Sequence, residues 1–197
     1  MTARKPPPVC PTLAATRVGL RPIEQGDAAS LMAMWSDPEF AQAAGIEATT
    51  DLDALTRSLA HFAHLNRHGL YYKWTIRRRD GNSFLGEVEL YPLKPQTDPW
   101  LEWGLGYSMA REHWGQGLMR EALERVLRFA LIESQALRIR ADVGSKNERS
   151  KALLRKLGFR CEGIQESKNF LYGRAVDMEL WAISRVRYQL QVSQPPT

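Results

Sequence analysis

Two glycines, Gly115 and Gly117, separate an apolar run, Leu105 to Ala110, from a helical pattern that opens at Leu118. Met119, Ala122, Leu123, Val126, Leu127 and Ala130 share one helical face. Arg120, Glu121, Glu124, Arg125 and Arg128 share the other. Strand, Gly-x-Gly turn and amphipathic helix together offer unpaired amide N–H groups and the positive end of a helix dipole. Glycines let that backbone come close to a ligand and tolerate unusual φ/ψ. The chemistry this suits is binding of a phosphate or pyrophosphate. Taken alone, the two glycines suit a plain strand-to-helix turn equally well. Two nucleotide motifs do not fit. A dinucleotide fingerprint needs a third glycine where Arg120 stands, and a P-loop needs Lys-Ser/Thr where Leu118-Met119 stands.

A third pattern fits. The span from Gly106-Tyr107 to Trp114-Gly115-Gln116-Gly117 resembles the acyl-CoA pyrophosphate loop of the GNAT N-acetyltransferase superfamily, and most closely its RimJ/RimL-like branch. Glu112 stands where that loop carries Gln or Arg, so backbone amides are left to hold the anion. A second segment, Asn147-Glu148-Arg149-Ser150 followed by Lys156-Leu157-Gly158-Phe159, resembles the family's Asn-x-x-Ser and Lys-Leu-Gly-Phe pieces. The resemblance implies an acyl-CoA co-substrate, most simply acetyl-CoA, and no metal. It implies cofactor contacts at Ser108, Met109, Ala110, Trp114, Gly115, Gln116, Gly117, Leu118, Met119, Asn147 and Ser150. By themselves, Asn147 reads as a helix N-cap and Ser150 as a solvent-facing helix residue.

Acyl transfer to an amine makes three demands. The amine must be neutral, against a pKa of about 10.4 for a lysine-like group. The oxyanion needs donors, and the backbone N–H groups of Ser108 to Ala110 are the expected ones. The leaving thiolate gains from a proton. Many family members use a Tyr for that proton, but Leu154 occupies the position here, which leaves Ser150. Glu102 and Glu89 are the candidate bases, each equally readable as an ion-paired carboxylate; Glu87 shares a strand face with Glu89. Asn169 stands where some relatives carry a glutamate, and Asp177, after Gly173-Arg174, divides evenly between a site and a structural role. His61, His64 and His68 lie at helical spacing, but no carboxylate or cysteine pattern completes a metal site.

Around these residues the pattern predicts β-α-α-β-β-β-α-β-α-β-β. The elements are a strand over 16–23, a helix from Asp27 to the Asp37-Pro38 break and a helix capped by Thr49, Thr50 or Asp51. A hairpin follows around Asp80-Gly81, then a strand into Ala110, the helix after Gly117 and three further strands. This is the order of the GNAT fold, which the resemblance implies from Thr16 to Arg185. That fold is α/β, a single domain with a mixed, mostly antiparallel central sheet splayed at a parallel strand pair and helices on both faces. Residues 1–15 read as a flexible Pro-rich arm, 16–186 as the acyltransferase domain and 187–197 as a polar tail.

The chain has 197 residues, 44% hydrophobic and 25% charged, which suits one folded domain over a disordered chain. Its net charge of +5 suits an anionic partner. No Lys/Arg stripe with interleaved aromatics marks a nucleic-acid site. Cys10 and Cys161 read as free thiols in a reducing compartment. With neither a signal peptide nor a membrane span in the pattern, a cytoplasmic monomer or homodimer is expected. The resemblance favours a protein or peptide N-terminus as acceptor. Acidic residues between Glu24 and Asp53 keep a polyamine or aminoglycoside open, nearby arginines keep a succinyl donor open, and the missing Tyr keeps a non-catalytic acyl-CoA sensor open.

Overall fold

The computed structural model describes residues 7, 9–44, 47–93, 102–171 and 173–193. They form two compact units, one of residues 7–91 with 106–125 and one of 92–105 with 126–193.

The first unit carries β1 (Leu13–Ala14), β2 (Val18–Pro22), α1 (Ala28–Trp35), α2 (Pro38–Ala44), α3 (Leu52–Arg67), β3 (Tyr72–Arg78) and β4 (Phe84–Pro92). It also holds the second half of β5 (Glu102–Met109) and most of α4 (Leu118–Arg128). The strands neighbour one another in the order β1-β2-β3-β4-β5. Val18 and Leu20, fully buried, alternate with half-exposed residues along β2. β3 is different: Tyr72, Lys73, Trp74, Thr75 and Ile76 are all buried, so both faces of this strand are covered. It pairs antiparallel with β4, Tyr72 opposite Leu90 and Trp74 opposite Val88.

Helix ends follow local chemistry. Asp51, not Thr49 or Thr50, caps α3, its Oδ1 accepting from the Ala54 N–H at 2.8 Å. Asp27 stands before α1 but makes no cap bond. Its fully buried carboxylate instead binds Arg21 at 2.5 Å and Arg77 at 2.9 Å. Asp37-Pro38 ends α1 as expected and also starts α2, because Asp37 accepts from the Glu39 N–H and Pro38 suits a first helical position.

The stretch expected to be a free arm is tied down from Cys10 onward. The Cys10 N–H donates to the Asn66 carbonyl at 2.8 Å, and Trp74 Nε1 to the Pro11 carbonyl at 2.6 Å. Proline lacks a donor but keeps its carbonyl, and a buried indole N–H needs an acceptor.

The second unit holds the first half of β5, β6 (Arg138–Gly144), α5 (Glu148–Lys156), β7 (Arg160–Leu171), β8 (Arg174–Ser184) and α6 (Arg185–Val192). β5 and β6 pair in parallel over three residues each, Glu102–Arg138 to Gly104–Arg140. The registered pairs on β1–β2, β2–β3, β3–β4, β6–β8 and β7–β8 are antiparallel, so the sheet is mixed as expected. The polar tail begins as a helix, α6. Ser184 caps it by accepting from the Arg187 N–H, and Tyr188 is buried.

Candidate functional site

α4 starts where the Gly-x-Gly turn predicts. Gly115 and Gly117 hold φ of +76° and +73°, which side-chain-bearing residues rarely adopt. A Cβ on Gly115 would meet only open space, so the loop's outer face is clear. Leu118 and Met119 send their side chains into the core, so only their backbone N–H groups can serve a ligand. Trp114 holds the loop to the preceding strand, Nε1 donating to the Met109 carbonyl at 2.6 Å. The Gln116 side chain folds back onto the Glu112 carbonyl at 3.0 Å.

Arg17, which the sequence did not single out, braces this loop. Its Nε lies 2.7 Å from Glu121 Oε2, its backbone N–H donates to Glu121 Oε1, and its Nη1 donates to the Gln116 carbonyl at 3.1 Å. Its Nη2 stands 3.5 Å from where a Cβ on Gly117 would be. Burial pushes the Glu121 carboxyl up, but the Arg17 N–H and guanidinium outweigh it and hold it below the ordinary carboxylate value. A guanidinium thus reaches the loop from β2's approach, paired with Glu121.

The three expected oxyanion donors are not equivalent. The Ala110 N–H already donates to the Leu85 carbonyl at 2.9 Å. Alternation along a strand turns the Met109 N–H to the opposite edge. Gly86 is why the two strands come this close: a Cβ there would lie 2.1 Å from the Ser108 carbonyl oxygen.

Glu89 lies against the same strand. Its Oε1 stands 2.7 Å from the position a Cβ on Gly106 would take, so only glycine leaves room for it. Its Oε2 lies 2.7 Å from Lys73 Nζ, which also lies 2.8 Å from Glu87. Tyr71 hydrogen-bonds Glu89, and its ring stacks on Tyr91 at 5.8 Å. Burial, then the Glu89 charge, pushes the Tyr71 phenol well up, so it stays a donor.

In the second unit, Asn147 caps α5, its Oδ1 accepting from the Ser150 N–H at 3.0 Å. Ser150 is therefore fixed one turn into that helix. Glu102 is almost buried and lies 3.0 Å from Arg138, which also binds Glu162. Asp177 accepts from the Ser167 N–H at 2.8 Å, a hairpin brace. Lys151, buried beside Asn147's turn, bridges Glu148 at 2.6 Å and Glu179 at 2.9 Å.

Among the described residues no group of three or more His, Cys, Asp or Glu could hold a metal ion. His64 and His68 approach to 4.3 Å between ring centroids, and the His64 carbonyl lies 2.8 Å from His68 Nδ1. Among the same residues no helix is long and apolar enough to cross a membrane.

Comparison with known proteins bears on the same elements. Residues 17–160 match the acetyltransferase (GNAT) domain family. The uncharacterized N-acetyltransferase YoaA of Bacillus subtilis is 29% identical over 177 residues, which are 90% of this chain and 98% of that protein. The ribosomal protein uS5-alanine N-acetyltransferase of Escherichia coli is 36% identical over 80 residues, 41% of each chain. Among solved structures, spermidine N-acetyltransferase from Vibrio cholerae in complex with CoA and spermine superposes with a TM-score of 0.76 at 21% identity. That match covers 88% of this chain and 98% of that one. It shows the fold, an α/β GNAT fold with a mixed sheet. The domain match spans the braced Gly115–Gly117 loop and both segments that resemble the family's motifs, and the chain belongs to the GNAT acetyltransferase family.

Proposed function

We propose that this chain transfers an acetyl group from acetyl-CoA to a primary amine at a protein or peptide N-terminus, by direct attack in a ternary complex. The observation that carries the reading is the Gly115–Gly117 turn. Two positive-φ glycines with a clear outer face open α4, and a guanidinium braces them. The N–H groups of residues 115–119 serve the diphosphate. Asn147, whose Oδ1 accepts in the cap, faces the amide-bearing arm of CoA with its carboxamide.

The structure favours Glu89 over Glu102 as the base. Both are ion-paired, Glu102 to Arg138 and Glu89 to Lys73, but Glu89 keeps the more exposed carboxylate, 24% against 11%, and lies against Gly106. Glu89 takes the proton that an ammonium must lose before it attacks. The Met109 N–H, on the edge of β5 away from Leu85, supports the oxyanion. Ser150 donates its hydroxyl hydrogen bond to the departing thiolate, a modest contribution from a weak acid.

Two observations support the acceptor. One is the partial likeness to an alanine N-acetyltransferase of a ribosomal protein. The other concerns the acidic residues that would make a polyamine groove. Asp27 is spent on Arg21 and Arg77, and Arg111 pairs with Asp37 at 3.3 Å and with Glu39. Arg111, Asp37 and Glu112 line a cleft of about 260 Å³ with Ser30, Met34 and Ala110, and Arg111 counters Asp37 there.

A thiol-release assay with acetyl-CoA, run on N-terminal peptides, polyamines and aminoglycosides beside calorimetric CoA binding, tests the reading. Turnover on peptides alone is expected. Turnover on polyamines alone would replace the acceptor. CoA binding without turnover on any acceptor would make the chain a sensor, and no CoA binding would remove the reading.

A further inference from the structure

We propose that Lys73 is the positioning residue of Glu89, and that Glu87 is the counter-charge that lets Lys73 hold Glu89 without neutralising it as a base. The inference rests on Glu89 being the base in the reading above.

Lys73 sits in β3, covered on both faces, where a lone ammonium would be expensive. Its side chain and that of Glu87 are 4% and 6% exposed, and Glu89 is 24% exposed. One enclosed cation therefore meets one enclosed carboxylate and one that reaches solvent. A purely structural ion pair needs only the first. The second carboxylate is surplus to neutralisation, and it is the one laid over Gly106, two residues before Ser108.

The lysine is fixed as a hook would be. The buried Asn66 binds its main chain twice, accepting from the Lys73 N–H at 2.9 Å and donating to its carbonyl at 2.8 Å. The ammonium lies 4.9 Å from the Phe62 ring centroid and 5.8 Å from that of Trp35. Nζ reaches Glu89 through Oε2, and Oε1 lies on the Gly106 side.

Charge decides the rest. A single cation 2.7 Å from Glu89 would act on that carboxylate with its full charge. Glu87 at 2.8 Å gives Lys73 a second, enclosed carboxylate as counter-charge, so that Lys73 acts on Glu89 as geometry. Burial raises the Glu87 carboxyl above its ordinary value, and Lys73 offsets only part of that rise. Burial alone would lower the Lys73 ammonium, but the two carboxylates outweigh it and keep it protonated. Lys73 and Tyr71 from β3 and its approach meet Glu89, and Glu87 from β4 shares Lys73 with it. α1 and α3 bring the uncharged rings of Trp35 and Phe62, and β5 brings Gly106.

The test follows the Glu89 carboxyl carbon by NMR titration of ¹³C-glutamate-labelled protein, beside the pH profile of kcat/KM for the best acceptor of the panel. Glu87→Gln leaves Lys73 uncompensated, so the Glu89 midpoint and the acid limb move down, by about one pH unit. Lys73→Met leaves two like charges, so both move up by a similar amount. The double variant removes the pair as a unit, a change that buried pairs often tolerate. It returns the midpoint to within about half a unit of wild type. Its kcat falls about tenfold because Glu89 is no longer held. Shifts of the same sign in the two single variants, or no shift, overturn the proposal. Should the single variants not fold, the double variant decides: a midpoint moved by a full unit, or an unchanged kcat, overturns it. Full activity in Glu89→Gln would remove Glu89 as base and this inference with it, while CoA-dependent turnover would stand.

Discussion

Two helices begin at positions that the sequence marks for the same co-substrate, and they begin differently. α5 opens at Asn147, whose own carboxamide accepts from the Ser150 N–H at 3.0 Å. α4 opens at Gly117, which has no side chain with which to do the same, and Gly115 and Gly117 both adopt positive φ. One helix satisfies part of its N-terminus from its own chain. The other has its turn braced from outside by Arg17. The motif residues are thus of two kinds: Gly115 and Gly117 matter for what they lack, and Asn147 has a structural duty before any ligand duty.

The contrast breaks most sharply at Gly117. Gly117→Asp forces a side chain into positive φ and puts a negative charge beside the anion site. CoA affinity should fall at least about a hundredfold by calorimetry, which is roughly 2.7 kcal/mol. Retained binding would mean that α4 is not where the anion docks.

Arg17→Ala comes next. Loss of the guanidinium from Gln116 and Glu121 should raise KM for acetyl-CoA about tenfold, with the acceptor KM unchanged. Equal changes in both would make Arg17 a general fold residue.

Asn147 separates cap from contact. Asn147→Ala should cost about 1 kcal/mol of stability with the cap lost. Asn147→Asp keeps an oxygen for the cap but removes the N–H donors, so its melting temperature should hold while CoA affinity drops by about threefold to tenfold. An aspartate variant with wild-type affinity would leave Asn147 a cap alone.

The smallest effect is in pH. Arg17 holds the folded-state Glu121 carboxyl below its ordinary value, so the brace's stabilisation is present above that value. It is lost as pH falls through the lowered folded value. The melting-temperature gap between wild type and Glu121→Gln should therefore be largest near neutrality and close in acid. A gap constant with pH would mean that the carboxylate's charge plays no part.

The turn was legible because glycine spacing is a local constraint, read before a helical period that switches on at Leu118. The hairpin around Asp80-Gly81 was legible for the same reason, although the positive φ falls on Asn82 at 54°. The three arginines before it were not. In sequence Arg77, Arg78 and Arg79 are one run, yet Arg77 serves buried Asp27, Arg78 pairs with Asp80, and Arg79 donates to the Ala15 carbonyl. Nothing in a run of like residues tells which members meet a distant partner. The tail was misread because the apolar residues of α6, Val186, Tyr188, Leu190 and Val192, alternate instead of recurring at helical spacing, and of the four only Tyr188 is buried.

By itself the sequence determined most of the elements, though not β1, α2 or α6, together with the Gly-x-Gly opening of α4 and the family to which the chain belongs, because turn chemistry and periodicity act over a few neighbouring residues. Only tertiary structure decided that Ala110 spends its N–H on Leu85, that Arg17 braces the loop across 99 residues of chain, and that Glu89 meets Lys73. Those contacts depend on which strands lie side by side and in what register, and a carboxylate's role depends on its neighbours in space.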